Sequence, residues 1–228
     1  MDKLTTIVVM AKQPRVGHTK TRLCPPLALE QAAALAEALL KDTLVLVSGI
    51  ENVQLAIAIT PAEAQDYFRR ISPPDTLLLP VEGADIGDCL NQATKKLLSM
   101  GFIKVIALNA DGPSLPKEYL LQAINFLDKS DVVLGPGEDG GYYLIGLKTP
   151  RPQLFQHIEW STAQVYHQTL ARGIDLGLKI SITPPWYDVD TAAETVRLSK
   201  EVQLLPPEHL VHTRRFFEIH PPCKWQTL

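Results

Sequence analysis

The chain has 228 residues, 46% of them hydrophobic, and a formal net charge of −3. That length and apolar share suit one large α/β domain with a sizeable core. The slightly acidic balance argues against a dedicated nucleic-acid binder, which is usually basic.

Three scattered cysteines, Cys24, Cys89 and Cys223, include no Cys-x-x-Cys pair, so neither a disulfide framework nor a zinc knuckle is indicated. A cytoplasmic location is expected. The apolar start is cut off by Lys12 and Arg15, too early for a signal peptide. No apolar run approaches the ~20 residues needed to span a bilayer, so no membrane partner is expected.

Taken in order, Thr5 to Met10 reads as a buried first strand, β-branched and continuous. A polar, cationic loop follows, from Ala11 to Leu23. Leu29 to Val47 has helical spacing at Ala32, Leu35, Ala36, Leu39, Leu40 and Leu44. Val53 to Ile59 is a strand, Ala62 to Arg70 a short helix, and Thr76 to Leu79 a strand. Ile86, Leu90, Ala93 and Leu97 mark a helix that Gly101 ends. Ile103 to Leu108 is a strand, and Pro116 opens a helix over Lys117 to Leu127.

Val132 to Leu134 and Tyr142 to Leu147 read as strands around a glycine-dense loop, Gly135 to Gly141. A helix is expected over Ala163 to Arg172, with Gly173 beyond its end, then a strand over Lys179 to Thr183. Thr191 and Glu194 have capping-box spacing, so another helix starts there. After Leu205 the composition turns to Pro206-Pro207, histidines and arginines. This places a domain at 1–205 and a C-terminal extension at 206–228, a docking or dimerisation arm or a partly disordered tail. Alternating strands and helices point to a mostly parallel sheet covered on both faces.

Three stretches carry chemistry. Asn109-Ala110-Asp111-Gly112-Pro113 puts an aspartate at the carboxyl end of a strand, where open α/β sheets bind ligands. Gly112 and Pro113 force a turn that presents the carboxylate at a crevice. The first loop gathers Lys12, Arg15, Lys20 and Arg22, which suits a phosphate chain or, more plainly, a solvated surface. It is no Walker A loop, because Gly17 is followed by His18-Thr19-Lys20-Thr21. Tyr187-Asp188-Val189-Asp190-Thr191 supplies a second carboxylate position. Two such sites plus substrate phosphates suit Mg²⁺ or Mn²⁺. The plainer alternative is that Asp190 caps the following helix and Asp111 closes a turn.

Gly137 to Tyr143 either lets backbone approach a ligand or makes a tight hairpin turn; Asp139 could orient a sugar or an acceptor hydroxyl. Trp160-Ser161-Thr162 reads as a helix start. No Gly-x-Ser-x-Gly elbow is present. Cys24 beside the cationic loop is placed for a lowered pKa, but no partner histidine is legible and a catalytic thiol is not expected.

The motifs Pro14-x-x-Gly17-x-x-Lys20-Thr21-Arg22-Leu23, Asp111-x-Pro113-x-Leu115-Pro116, Gly135-Pro136-x-x-Asp139-Gly140-Gly141-Tyr142-Tyr143-Leu144-x-Gly146, Trp160-Ser161-Thr162 and Asp188-Val189-Asp190-Thr191 occur in that order. Together they resemble the bacterial selenodomain-associated transferase family, whose wider relatives include 2-phospholactate guanylyltransferases and molybdenum-cofactor nucleotidyltransferases. The resemblance spans roughly residues 4 to 200. It implies a single-domain, three-layer α/β/α fold of the nucleotide-diphospho-sugar transferase, glycosyltransferase A type, with a mixed, mainly parallel sheet.

Further implications concern the residues. Lys20 and Arg22 would hold nucleotide phosphates and, with Asp111, carry catalysis. Lys12 and Gly17 would belong to the same nucleotide-binding loop. Asp111, Asp190 and Asp188 would hold the metal. Asp139, Gly140 and Gly141 would line the sugar or acceptor pocket. The family's small polar residue before the aspartate and its Cys-Pro or Ser-Pro after it are replaced here by Ala110 and Gly112, which implies loss of a side-chain contact to the ligand.

The expected function is metal-dependent transfer from a nucleotide or nucleotide-sugar to a small acceptor, glycosyl or nucleotidyl, by a monomer or homodimer. The alternative is a catalytically silent nucleotide-binding module of the same fold.

Overall fold

Side-chain parity along Thr5–Lys12, the first strand (β1), organises the molecule. Ile7, Val9 and Ala11 enter one core cluster and Val8 the other. The same division recurs in β2 (Val53–Thr60), where Leu55, Ile57 and Ile59 oppose Ala56 and Ala58, and in β4 (Lys104–Leu108), where Ile106 and Leu108 oppose Val105 and Ala107. A strand buried on both faces needs apolar residues at every position, which is why these runs are continuous. The computed structural model describes residues 4–222.

With β3 (Leu77–Pro80), β5 (Val132–Pro136), β6 (Tyr142–Leu147) and β7 (Ile180–Ile182), the strands form one seven-stranded sheet in the order β3-β2-β1-β4-β6-β5-β7. β6 runs antiparallel to both its neighbours, and the other pairings are parallel. Helices cover both faces. On one lie α1 (Leu29–Ser48), α2 (Gln65–Ile71) and α4 (Lys117–Phe126), through Leu40, Leu44, Phe68 and Leu120. On the other lie α3 (Ile86–Ser99) and α5 (Val165–Asp175), through Leu90, Leu97 and Leu170. This is the mixed, mainly parallel three-layer fold expected, with several boundaries shifted by a residue or two.

α1 is buried on two sides. Its outer side, with Ala32, Leu35 and Leu39, meets a third cluster formed with α6 (Ala192–Leu204) and α7 (Val211–Ile219). The chain beyond 205 thus packs on the main body, with Phe216 and Phe217 buried in that cluster. Asp42 of α1, only 4% exposed, accepts the N–H groups of His212 at 3.1 Å and Thr213 at 2.7 Å. It caps α7, whose own N-cap residue, Leu210, has no side-chain acceptor. Positions 223–228, including Cys223, lie outside the described residues.

One expected terminator is placed differently. Gly173 lies inside α5 and is not beyond it. A Cβ there would come within 2.5 Å of Ile180 Cδ1, so the glycine serves helix-to-strand packing. Gly177, at φ 65°, stands after the helix instead. No helix among the described residues is long and apolar enough to cross a membrane.

Candidate functional site

The strand order sets the location of the site. β1 lies between β2 and β4, so the chain leaves β1 toward one edge and later returns to its other side. At such a switch point the connections diverge and open a crevice beyond the carboxyl ends of the strands. The cationic loop leaves β1 there, and Asn109 to Asp111 leave β4 there. β7 is parallel to β5, so residues 183–190 emerge at the same end.

Backbone contacts then seat the two acidic stretches side by side. Val189 N–H donates to the Asp111 carbonyl at 2.9 Å. Gly112 makes this approach possible: a Cβ there would lie 2.9 Å from the Tyr187 carbonyl oxygen. The position where the resemblance implied a lost ligand contact is therefore one where backbone passes close to backbone. Along the extended segment, Tyr187 and Val189 are buried in the third cluster, while Asp188 and Asp190 remain half-buried. The same cluster holds Leu23, from the short 3-10 turn Thr21–Leu23 that follows Lys20. Apolar residues of the two motifs thereby draw the polar ones together.

At the meeting point, Lys20 Nζ lies 2.7 Å from Asp111 Oδ1 and 2.8 Å from Asp190 Oδ1. The lysine side chain is 6% exposed, against 42% and 40% for the two aspartates. Burial alone would lower its pKa; the two adjacent carboxylates outweigh this and raise it above the ordinary lysine value. Lys20 has φ 52° and ψ 35°, a left-handed conformation that costs a non-glycine residue about 1 kcal/mol. Its carbonyl accepts the Leu23 N–H at 2.9 Å.

Asp190 does not cap the helix. Thr191 is the N-cap residue, and the Glu194 carboxylate reaches back to the N–H groups of Thr191, at 2.6 Å, and Asp190, at 2.8 Å. The Asp190 carboxylate is thus left for Lys20. Asp188 takes a different partner: Asn109 Nδ2 donates to both its oxygens, at 2.7 and 2.8 Å. Burial, then the charge of Asp111, push the Asp188 carboxyl up to about 7, against the Asn109 bond, which holds it down. Asn109 is a site residue that residue-type reasoning passed over. Only its position two residues before Asp111 marked it.

The crevice holds about 600 Å³. Lys12, Lys20 and Arg22 line it together with Asp111 and Asp190 and with Asp85, Ile86 and Cys89 from the start of α3. Lys12 and Arg22 are exposed cations, whereas Lys20 faces the aspartates. The α3 wall was not foreseen; its sequence signal was Asp85, whose side chain accepts from Asp88 N–H as a helix cap.

Gly17, Asp139, Gly140 and Gly141 are not among the residues lining this crevice. Asp139 Oδ1 accepts Gly141 N–H at 2.9 Å, closing the β5–β6 hairpin. Gly140, at φ 89°, packs its backbone against Ala163, beside the Trp160-Ser161-Thr162 loop. Trp160 in turn packs its indole on Gly87 of α3. The glycine-rich turn thus packs against neighbouring loops, and Asp139 lies near enough to Asp188 to help raise its carboxyl pKa. Cys24 is also corrected: burial, with Glu30 nearby, pushes its thiol pKa up, not down.

Among the described residues, no group of three or more His, Cys, Asp and Glu side chains is arranged to hold a metal. Asp111 and Asp190 do present two anionic oxygens around one point, which the ammonium of Lys20 marks. Two carboxylate oxygens with substrate phosphates and water are a donor set that fits Mg²⁺ or Mn²⁺.

Comparison with known proteins agrees with this architecture. The chain is 28% identical, at a TM-score of 0.87, to a crystal structure of a candidate nucleotide-diphospho-sugar transferase from Desulfovibrio desulfuricans, covering 96% of each chain. It shares the fold of a cytidylyltransferase from Leptospira borgpetersenii, at TM-score 0.57 and 12% identity over 98% of each chain. In sequence it is 26% identical to the 2-phospho-L-lactate guanylyltransferase of Methanothermobacter thermautotrophicus, over 79% of this chain and 78% of that protein. Residues 43–162, more than half of the chain, match the family described as "uncharacterized protein conserved in bacteria" (DUF2064), and the chain belongs to that family.

Proposed function

We propose that this protein is a nucleotidyltransferase that uses a nucleoside triphosphate and a small phosphorylated acceptor. The observation that carries the reading is the convergence of Asp111 and Asp190 on a single cationic point at the switch-point crevice, which Lys12 and Arg22 also line. The sequence relative named as a guanylyltransferase supports the class and makes GTP the first donor to test.

In this reading the triphosphate lies across the crevice. Lys12 and Arg22 bind its outer oxygens by charge-assisted hydrogen bonds. Asp111 and Asp190 would hold a divalent cation, which would supply charge neutralisation and Lewis acidity at the phosphates. An acceptor phosphate oxygen bonds to the α-phosphorus, the bond from that phosphorus to the bridging oxygen breaks, and pyrophosphate leaves. The cations of the loop stabilise the charge that develops on it. Removing one contact of this kind typically costs about 3 kcal/mol of barrier.

The test is thermal shift with GTP, CTP, UTP and ATP, with and without Mg²⁺, followed by pyrophosphate release in the presence of candidate phosphorylated acceptors. A ligand that binds the folded state raises its melting temperature. One nucleotide should stabilise the wild type in a Mg²⁺-dependent way, and Asp111→Ala should lose that effect. Equal Mg²⁺-dependent stabilisation of Asp111→Ala would sink the site.

A second reading, glycosyl transfer from a sugar nucleotide, draws on the name of the similar Desulfovibrio structure. It predicts release of a nucleoside diphosphate in place of pyrophosphate.

A further inference from the structure

We infer that Lys20 is a tethered counter-cation that occupies the divalent-metal position of the free protein, so that metal enters together with polyphosphate and not before it. The inference rests on the metal reading of Asp111 and Asp190 given above, and concerns how that site is filled.

The geometry leaves little alternative use for this lysine. Its Nζ sits between one oxygen of each aspartate, at 2.7 and 2.8 Å, and the side chain is almost wholly covered. A divalent cation bridging those same two oxygens and the ammonium cannot share the space between them. Like charges at contact distance in a half-buried site repel strongly. One of them must leave.

Two observations indicate that the lysine can leave. It is carried by a loop residue in a left-handed backbone conformation, a strained state for a non-glycine residue. Lys20 also lines the crevice beside Arg22 and Lys12, so a phosphate chain bound there offers its ammonium a new anionic partner nearby. With polyphosphate present, release of Lys20 exchanges one set of ion pairs for another. Without it, a metal must displace the ammonium and leave it unpaired.

This makes metal and polyphosphate binding mutually reinforcing, and the coupling must be reciprocal. It also gives the two facing carboxylates of the free crevice a cation between them.

The test is equilibrium dialysis of Mn²⁺ against the full chain, alone and with inorganic tripolyphosphate. Wild type should retain Mn²⁺ weakly on its own and at least tenfold more tightly when tripolyphosphate is present. Lys20→Gln should bind Mn²⁺ alone at least tenfold more tightly than wild type, and Lys20→Arg, which keeps the charge, should resemble wild type. Equal retention of Mn²⁺ alone by wild type and Lys20→Gln overturns the inference while leaving the metal site standing. No retention by any form, with or without tripolyphosphate, overturns the metal reading itself.

Should Lys20→Gln fail to fold, wild type is read directly. Acetylation of Lys20 by acetic anhydride, mapped by peptide mass spectrometry, should rise as Mn²⁺ alone is brought to saturation. Unchanged acetylation at saturating Mn²⁺ overturns the inference.

Discussion

The backbone N–H of Val189 donates to the carbonyl of Asp111 at 2.9 Å, a backbone bond that joins the two acidic stretches of the crevice. It requires the chain around Tyr187 to pass where most residues at position 112 would place a side chain. Gly112→Ala puts a methyl 2.9 Å from the Tyr187 oxygen, so the two stretches must part. Overpacking of this kind costs about 1–3 kcal/mol. Urea denaturation should report that loss, and thermal shift with the best nucleotide and Mg²⁺ should show a smaller response than in wild type. An Ala variant of unchanged stability would mean that the segment relaxes freely.

Leu23 supports the site from below. It is fully buried in the cluster that also holds Tyr187 and Val189. Leu23→Ala should destabilise the fold by about 2–5 kcal/mol, the range for a buried leucine truncated in a packed core. Because the cavity opens beside the turn that follows Lys20, ligand affinity should fall in the same variant at temperatures well below its melting point. Denaturant titration and binding measured at 15 °C separate the two effects.

Asp188 gives stability a pH dependence of definite sign in the metal-free protein. Its folded pKa is raised to about 7, above the ordinary carboxylate value. Between the unfolded value near ~4 and the folded value, the folded state holds the extra proton. Stability is therefore higher at pH 4 than at pH 7 as far as this group is concerned, and its contribution is lost as pH rises through that window. Asp188→Asn cannot ionise and should flatten the slope between pH 4 and pH 7. Urea midpoints at both values check this, and parallel slopes in the two proteins would refute it.

The tail helix depends on one carboxylate. Asp42→Ala removes the acceptor for the His212 and Thr213 N–H groups. Leaving buried donors unpaired costs about 1–3 kcal/mol. The loss should concentrate in Val211–Ile219. Amide hydrogen exchange there should accelerate while β1 and β4 stay protected. Uniform acceleration across the sheet would show that α7 and the sheet unfold as one unit.

The amino-acid sequence by itself determined the local elements and the chemistry available. Parity in the strands, helical spacing and the Thr191–Glu194 cap are set by residues a few positions apart, so they can be read along the chain. The same holds for the aspartate at the end of β4 and the cations after β1, although their sharing one crevice follows from β1 lying beside β4. Pairings were decided only in three dimensions. Lys20 and Asp190 are 170 residues apart, and nothing local says that the ammonium meets two carboxylates and not a phosphate. Asn109 bonding Asp188 is equally invisible to residue type, whereas the hairpin that Asp139 closes is the tight turn its residues already offered. Each long-range pairing depends on where the strand order and the third cluster bring distant backbone, and a carboxylate pairs with whichever donor that packing places within reach.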